Sequence, residues 1–248
     1  MNAIFVLREG RGPEVLLVHG GASPRTTWDA LASLRDRWTI ALVHRRGYPP
    51  SPPEPDGCHD FEVDAADLAP LLDSRPHVVA HSYGVLGTLI AGTRRPAQVR
   101  SLTLIEPPIY HLTPDDPEVE RLELMGNQVL THGLDTDPST LREFLRIAGA
   151  PELGDGPLPD EVANGVRRAH GGRLPGEARP ALELEVLREA GIPSLVASGD
   201  HAPALERICD ALAKALNAER LVAPGAGHFV AAAPGFTNRL EEFLKTRD

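Results

Sequence analysis

The sequence predicts an α/β protein in which a mostly parallel central sheet is flanked by helices. Short runs rich in Val, Ile and Leu alternate with amphipathic segments along the chain. The runs are continuously apolar, which is typical of strands covered by helices on both faces. The alternation stops between residues 108 and 190, where helix-like segments follow one another without a convincing strand. We therefore expect a core formed by residues 1–107 and 191–248, and an all-helical cap or lid formed by residues 108–190, here called the cap segment.

The elements follow in order along the chain. Buried strands are predicted at residues 14–18, 38–43, 76–80, 99–105, 193–197 and 219–222. Amphipathic helices are indicated by apolar stripes that include Phe61 and Leu68, then Leu205 and Leu212, and finally Leu240. Within the cap segment, helices are predicted near 117–131, 138–148, 158–170 and 177–190. Repeated strand–helix units of this kind imply right-handed crossovers between parallel strands.

Composition and charge exclude several classes of protein. The chain has 248 residues, long enough for a sizeable core, and its formal charge is 25 − 35 = −10. An acidic chain is a poor ligand for a phosphate backbone, so no nucleic-acid partner is expected. No run approaches the ~18 apolar residues of a membrane span, so no membrane insertion is expected. The first residues lack the pattern of a secretory signal and two cysteines cannot form a disulfide framework, so we expect a cytoplasmic protein.

Residues 80–84, Ala-His-Ser-Tyr-Gly, carry the sharpest local pattern in the chain. They follow a predicted strand directly and precede a helix rich in small residues. A nucleophile on a sharp strand-to-helix turn needs small neighbours two residues away on either side, here Ala80 and Gly84. Such a turn projects the Ser82 hydroxyl above the sheet, at a helix N-terminus that favours negative charge. Ser82 is therefore predicted as a nucleophile; the alternative is a serine that only caps the helix.

A second pattern, His19-Gly20-Gly21-Ala22, follows the predicted strand at residues 14–18. Acyl transfer needs two backbone N–H donors where the carbonyl oxygen becomes an oxyanion. We predict the amides of Gly21 and of Tyr83 as these donors. Taken alone, the pattern also fits an ordinary glycine turn between a strand and a helix.

A base and an acid are predicted further along the chain. His228 lies in a glycine-rich loop after the last strand, from which its imidazole could reach Ser82. Asp200 follows the strand at 193–197 and precedes His228 by 228 − 200 = 28 residues. The order Ser82, Asp200, His228 is a known order for a Ser…acid…His triad. Glu106, which ends the strand at 99–105, is kept as an alternate acid or a pocket residue.

With these features in order, the chain resembles the α/β-hydrolase fold superfamily in its helical-cap branch. The resemblance rests on four segments: LLVHGGASPRTTWDAL, VVAHSYG, SLVASGDHAP and APGAGHFVAAAPGF. It implies a cap inserted between the sixth and seventh strand positions, the triad roles, and a substrate pocket between core and cap. The chain departs from the family pattern where Ala80 replaces the first elbow glycine and His44 replaces an acid. The leading antiparallel strands are reduced, with one expected near residues 3–8.

Other polar and aromatic residues near these motifs are assigned lesser roles. Trp28, His19 and His81 are candidate pocket residues, and the two histidines are also expected to orient their neighbours. The Pro-rich loop contains a cluster that could suggest a metal site, formed by Asp56, Cys58, His59 and Asp60. We do not predict a metal site there, because a flexible loop is a poor preorganised ligand set. No metal and no cofactor are expected.

The function predicted is that of a serine hydrolase cleaving a carboxylic ester, lactone or thioester of a small apolar substrate through an acyl-enzyme. Leucines of the cap segment are expected to make the acyl pocket apolar. C–C bond hydrolysis and perhydrolase activity with the same triad remain open, as does a non-catalytic small-molecule-binding or biosynthetic accessory role. The sequence leaves the natural substrate open, and it does not decide between a monomer and a homodimer.

Overall fold

Among residues 3–247, which the computed structural model describes, seven strands form one sheet in the order β1-β3-β2-β4-β5-β6-β7. The strands are β1 (Val6–Gly10), β2 (Glu14–Val18), β3 (Thr39–Val43), β4 (His77–His81), β5 (Ser101–Ile105), β6 (Ser194–Ser198) and β7 (Glu219–Val222). β1 pairs antiparallel with β3, and the other neighbours pair in parallel. The predicted α/β class and mostly parallel sheet are confirmed. The predicted core ranges include Met1, Asn2 and Asp248, which lie outside the described residues.

Helices connect the strands and cover the sheet. They are α1 (Pro24–Trp28), α2 (Phe61–Leu68), α3 (Gly84–Arg94), α4 (Pro117–His132), α5 (Pro138–Ile147), α6 (Asp160–Ala169), α7 (Leu184–Glu189), α8 (Pro203–Leu216) and α9 (Phe236–Lys245). Local chemistry fixes the N-terminus of α4. Its first residue is proline, and the Asp116 side chain accepts hydrogen bonds from the amides of Glu118 and Val119. None of the helices in the described part of the chain is both long and apolar enough to cross a bilayer.

The inner strands of the sheet are buried on both faces, which explains why they are continuously apolar. The edge strands β1 and β7 are more exposed, so the prediction of a buried strand at 219–222 is corrected. On β2, Leu16 and Val18 pack into one apolar cluster with α2, α3 and α8. Val15 and Leu17 point to the opposite face and pack into a second cluster that includes α9. Because successive side chains of a strand alternate between faces, both sets must be apolar when both faces are covered.

Residues between β5 and β6 contain helices and no strand, as the sequence predicts for the cap segment. Helices α4, α5 and α6 share a small apolar cluster formed by Val129, Leu141, Leu145 and Val166. Helix α7 packs instead against α3 and α8, and its Leu187 belongs to the main core. Of the leucines expected over the site, Leu122 and Leu184 lie in the main core and Leu124 is exposed. The cap segment's limits at 108 and 190 therefore stay a prediction.

The carboxyl ends of three neighbouring strands carry residues with left-handed backbones. Ser82 follows β4, Glu106 follows β5 and Asp200 follows β6, with φ angles of 53°, 46° and 54°. A non-glycine residue in this conformation costs on the order of 1 kcal/mol, and such residues concentrate at functional sites. The same edge of the sheet thus presents the predicted nucleophile and both candidate acids.

Candidate active site

Ser82 lies on a tight turn between β4 and α3. Its amide donates to the carbonyl of Ile105 (2.9 Å), and its own carbonyl accepts from Val85 (3.0 Å). Ala80 is fully buried in β4. A side chain at Gly84 would place a Cβ 2.2 Å from the carbonyl oxygen of His19, so only glycine fits there. The local geometry is that of the predicted strand–nucleophile–helix turn.

The loop after β2 runs directly against Ser82. A Cβ added to Gly20 would lie 2.7 Å from Ser82 Cβ and 3.2 Å from Ser82 Oγ. A Cβ at Gly21 would meet no atom within 4 Å, so its backbone is accessible. The adjacent residue of the turn, Tyr83, donates its hydroxyl to the carbonyl of Arg173 (3.0 Å). The predicted donor amides, of Gly21 and Tyr83, thus belong to loops that meet at Ser82; their role as an oxyanion hole stays a prediction.

A buried ion pair fixes the loop that carries Gly21. Arg45 is 1% exposed and its Nη2 lies 2.6 Å from Asp64 Oδ2. Burial alone would lower the pKa of Arg45, but the Asp64 carboxylate raises it above its ordinary value. Arg45 Nη1 donates to the carbonyl of Gly20 (2.9 Å). Because the C=O and N–H of one trans peptide point in opposite directions, this bond also sets the direction of the Gly21 N–H.

His19 supports the same peptide. Its Nδ1 donates to the Gly20 carbonyl (3.0 Å), and its Nε2 accepts from the amide of Arg45 (3.2 Å). Burial lowers the pKa of His19 well below its ordinary value, so the ring is neutral. Tyr48 adds a bond from its hydroxyl to the carbonyl of Gly21 (2.6 Å). The prediction of His19 as a pocket residue is corrected: the ring is fully buried and holds the loop, in agreement with the orienting role also expected of it.

Asp64→Asn is expected to lower the free energy of unfolding by about 3–5 kcal/mol, because it leaves the Arg45 guanidinium buried without a counter-charge. Urea unfolding measures the loss. Glu62→Gln is the matched control: it lies on the same helix, and its partner Arg94 is 50% exposed. That exposed pair should contribute only about 0–1 kcal/mol. Equal losses in the two variants would contradict this account of the Arg45 pair.

His228 is paired with Glu106 at the carboxyl edge of the sheet. His228 Nδ1 lies 2.6 Å from Glu106 Oε2, and Glu106 Oε1 accepts the amide of Gly199 (2.7 Å). Burial would favour the neutral carboxyl, but the hydrogen bond from His228 and the neighbouring ring of His201 lower the pKa of Glu106 to about 2. An ionised carboxylate only accepts, so His228 Nδ1 donates to Glu106 and Nε2 is the nitrogen left to face other groups. Among residues 3–247 no hydrogen bond joins Ser82 to His228; such bonds often tighten only in the substrate complex.

The structure does not bring Asp200 to His228. The Asp200 side chain is exposed, and its amide donates to Glu206 Oε1 (2.9 Å). The prediction of Asp200 as the partner of His228 is therefore corrected, and the alternate acid, Glu106, occupies that place. The left-handed turn at Asp200 directs its side chain to solvent, while the end of β5 lies deeper in the sheet and buries Glu106 against the imidazole.

The two other candidate pocket residues, His81 and Trp28, are both buried. His81 is 2% exposed, and burial lowers its pKa to about 3. Its Nε2 lies 2.9 Å from the backbone carbonyl of His228, to which the neutral ring donates. Trp28 is 3% exposed and packs in the apolar cluster beneath this edge, with its ring 6.2 Å from that of His81. Both pocket predictions are corrected: His81 orients the His228 loop, as also expected, and Trp28 is part of the core.

His201 is a member of the site that the sequence analysis did not single out. Its Nδ1 lies 3.4 Å from Glu106 Oε1, and its Nε2 lies 2.9 Å from the carbonyl of Ile147. Ligand atoms of Glu106, His201 and His228 fall within 4.8 Å of one another, and no other such group occurs in the described part of the chain. Two imidazoles and a carboxylate are a ligand set that zinc accepts. The expectation that the protein uses no metal stays a prediction.

A model of the alpha/beta hydrolase family matches residues 15–240. The chain belongs to the alpha/beta hydrolase family. A pimeloyl-[acyl-carrier protein] methyl ester esterase of Methylococcus capsulatus is 32% identical over 194 residues, covering 76% of this chain and 72% of that protein.

Solved structures of other alpha/beta hydrolases share the fold along nearly the whole chain. An alpha/beta hydrolase from Sphaerobacter thermophilus has a TM-score of 0.67 at 24% identity and covers 97% of this chain and 96% of its own. A thermophilic esterase from Thermogutta terrifontis has a TM-score of 0.64 at 21% identity, covering 98% and 93%.

A cavity of about 420 Å³, open to solvent, lies beside α5 and α6 of this hydrolase. Its lining includes Leu141 and Arg142 of α5 and Ala163 and Arg167 of α6. Ser82, Glu106 and His228 are not part of the lining. This cavity therefore does not define the substrate site, which must be inferred from the polar residues themselves.

Proposed function

We propose that this alpha/beta hydrolase cleaves carboxylic esters with Ser82 as nucleophile, His228 as base and Glu106 as acid. The observation that carries the proposal is the buried Glu106 carboxylate 2.6 Å from the His228 imidazole, at the sheet edge where the Ser82 turn lies. The name of the Methylococcus capsulatus relative, a methyl ester esterase, supports ester hydrolysis. The order Ser82, Glu106, His228 keeps the nucleophile first and the base last along the chain.

The proposed reaction proceeds through an acyl-enzyme. His228 Nε2 takes the Ser82 proton as Ser82 Oγ attacks the ester carbonyl, and Glu106 stabilises the imidazolium that forms. The amides of Gly21 and Tyr83 donate to the oxyanion of the tetrahedral intermediate. His228 then gives its proton to the leaving alcohol. In the second half, His228 takes a proton from water, the hydroxide attacks the acyl-enzyme, and the acid leaves as Ser82 recovers its proton.

The cap segment is proposed to roof this site. Because β6 runs parallel to β5, the chain returns to the sheet at the opposite edge, but it leaves the sheet after Glu106, at the edge that carries Ser82. Two contacts connect its backbone to that edge: the hydroxyl of Tyr83 donates to Arg173, and His201 contacts Ile147. Ligands of open α/β sheets bind beyond the carboxyl ends of the strands, which is the space beneath these contacts. We therefore propose an apolar acyl pocket between the sheet edge and the cap segment.

An ester panel tests the activity and the pocket together. For p-nitrophenyl esters from acetate upward, kcat/KM is expected to rise about fourfold per methylene, since each buried CH2 is worth about 0.8 kcal/mol, until the pocket is filled. Methyl esters of the same acids test the alcohol side suggested by the relative's name. A value of kcat/KM that stays flat from acetate to octanoate would contradict the apolar pocket.

Parallel assays separate ester hydrolysis from the other functions that fit this site. Lactones, acyl thioesters and dioxo-acids test the other bonds that the same three residues could cleave. If every substrate is inert and a fluorophosphonate leaves Ser82 unmodified, the ester-hydrolase proposal fails and a binding or accessory role takes its place.

A further inference from the structure

The ring of His201 contacts two groups that can only accept hydrogen bonds. Its Nε2 lies 2.9 Å from the carbonyl oxygen of Ile147, so this nitrogen carries a hydrogen. A neutral imidazole has one N–H, and its Nδ1 would then present a lone pair. That lone pair would face Glu106 Oε1 at 3.4 Å. Two acceptors facing each other in a half-buried site repel, whereas an imidazolium presents an N–H at both nitrogens; the contact at Nδ1 is an ion pair rather than a hydrogen bond in this geometry.

The charges around His201 favour the imidazolium. Burial lowers the pKa of His201, but the carboxylates of Glu106 and of Glu206, on α8, together raise it above the ordinary value. Asp200 is the preceding residue in the chain and is exposed. The ring of His228, 6.2 Å away, is itself paired with Glu106. Acidic groups therefore dominate the surroundings of the ring.

Ile147 is the last residue of α5, which has ten residues. The final carbonyls of a helix have no partner within the helix and carry partial negative charge. A cation at this end satisfies one such carbonyl and interacts favourably with the helix dipole. His201 therefore has complementary partners on both sides, one on the sheet edge and one on the cap segment.

We propose that His201 is a positioning residue whose doubly protonated ring connects the acid Glu106 to the C-terminus of cap helix α5. The proposal rests on the proposed function of Glu106. Docking of α5 and orientation of Glu106 are then coupled through one ring. Loss of the ring proton removes the N–H that faces Glu106, so the connection holds at lower pH and is lost as the pH rises through the raised pKa of His201.

Two variants separate the two contacts. In His201→Asn, the amide nitrogen can take the place of Nδ1 and donate to Glu106, but nothing reaches Ile147. In His201→Gln, the longer side chain can place its amide near Nε2 and reach Ile147 instead. His132→Asn is the control, because His132 is an exposed histidine at the end of α4. Each protein is assayed with an acetate and with a long-chain p-nitrophenyl ester.

The two variants are expected to change different kinetic parameters. His201→Asn should raise KM for the long-chain ester severalfold and leave kcat nearly unchanged. His201→Gln should lower kcat for both esters by about 10-fold or more, as loss of an outer orienting partner commonly does. The control should match the wild type. The proposal would be overturned if the two variants changed kcat and KM by the same factors, or if neither variant changed either parameter.

The pH dependence of stability tests the connection without any activity. Because the pKa of folded His201 is raised, its stabilising effect is fully present below the unfolded pKa of about 6.5 and lost above the folded value. The difference in free energy of unfolding between wild type and His201→Asn should therefore shrink from pH 5.5 to pH 9. A difference that is constant with pH would overturn the proposal, even if the protein proved to be an inactive esterase.

Measurements on the wild-type protein keep the proposal testable if a variant fails to fold. Nitrogen-15 NMR of labelled histidine should show both His201 ring nitrogens protonated at pH 6; a single protonated nitrogen would overturn the proposal. Activity and pH profile should also be unaffected by EDTA. Loss of activity with EDTA that zinc restores would show that the Glu106–His201–His228 cluster holds a metal instead.

Discussion

Ser82→Ala is expected to lower kcat for ester hydrolysis by a factor on the order of 10⁶, because it removes the atom that forms the acyl-enzyme. The fold should be retained, since Ser82 lies on a turn and its contacts to Ile105 and Val85 are made by the backbone. The measurement is the steady-state rate on the best ester of the panel, with thermal unfolding followed by circular dichroism. A loss smaller than about tenfold with the fold intact would mean that another residue is the nucleophile.

Glu106→Gln is expected to lower kcat by a factor on the order of 10⁴, because an amide beside His228 Nδ1 favours the wrong imidazole tautomer. The matched control is Asp200→Asn, which makes the same chemical change one strand away. The exposed Asp200 side chain does not orient His228, so this variant should keep kcat within about twofold of the wild type.

The contrast between these two variants decides the acid. The prediction requires the Glu106 variant to be by far the slower one. If Asp200→Asn is the more damaging change, the acid is supplied after β6, as the chain order first suggested, and the buried pair of Glu106 and His228 is not the catalytic one.

The strands and the nucleophile turn could be predicted because their causes are local. A strand buried on both faces must be apolar throughout, and a turn as tight as that at Ser82 must have small neighbours. Gly84 illustrates this dependence, since any side chain there would collide with the carbonyl of His19. Constraints of this kind are visible in a short stretch of sequence.

The acid could not be decided in the same way, because Asp200 and Glu106 each follow a strand that ends at the same edge. The choice depends on the depth of each strand end and on the path of the His228 loop. A Cβ at Gly199 would lie 1.9 Å from the carbonyl of Gly227, so this loop passes tightly over the end of β6. There the Gly199 amide binds Glu106, and Asp200 is turned to solvent.

The roles of Arg45 and His201 were invisible for a related reason. Arg45 is a charged residue buried beneath a glycine loop, and its partner Asp64 is 19 residues away on α2. The His201 ring contacts the carbonyl of Ile147 at the end of α5, and Ile147 lies 54 residues earlier in the chain. This contact holds the ring beside Glu106. Hydrophobic periodicity identifies the apolar face of a helix, but it carries no information on which buried charges meet.

The central claim, that the pair formed by His228 and Glu106 activates Ser82, is tested most directly by the rate of labelling with a fluorophosphonate, followed by intact mass. The account predicts one label per wild-type chain, located on Ser82 by peptide mapping. Labelling should be undetectable in Ser82→Ala, strongly slowed in His228→Ala and Glu106→Gln, and unchanged in Asp200→Asn. A label on a different residue, or a Glu106→Gln variant that reacts as fast as the wild type, would contradict it.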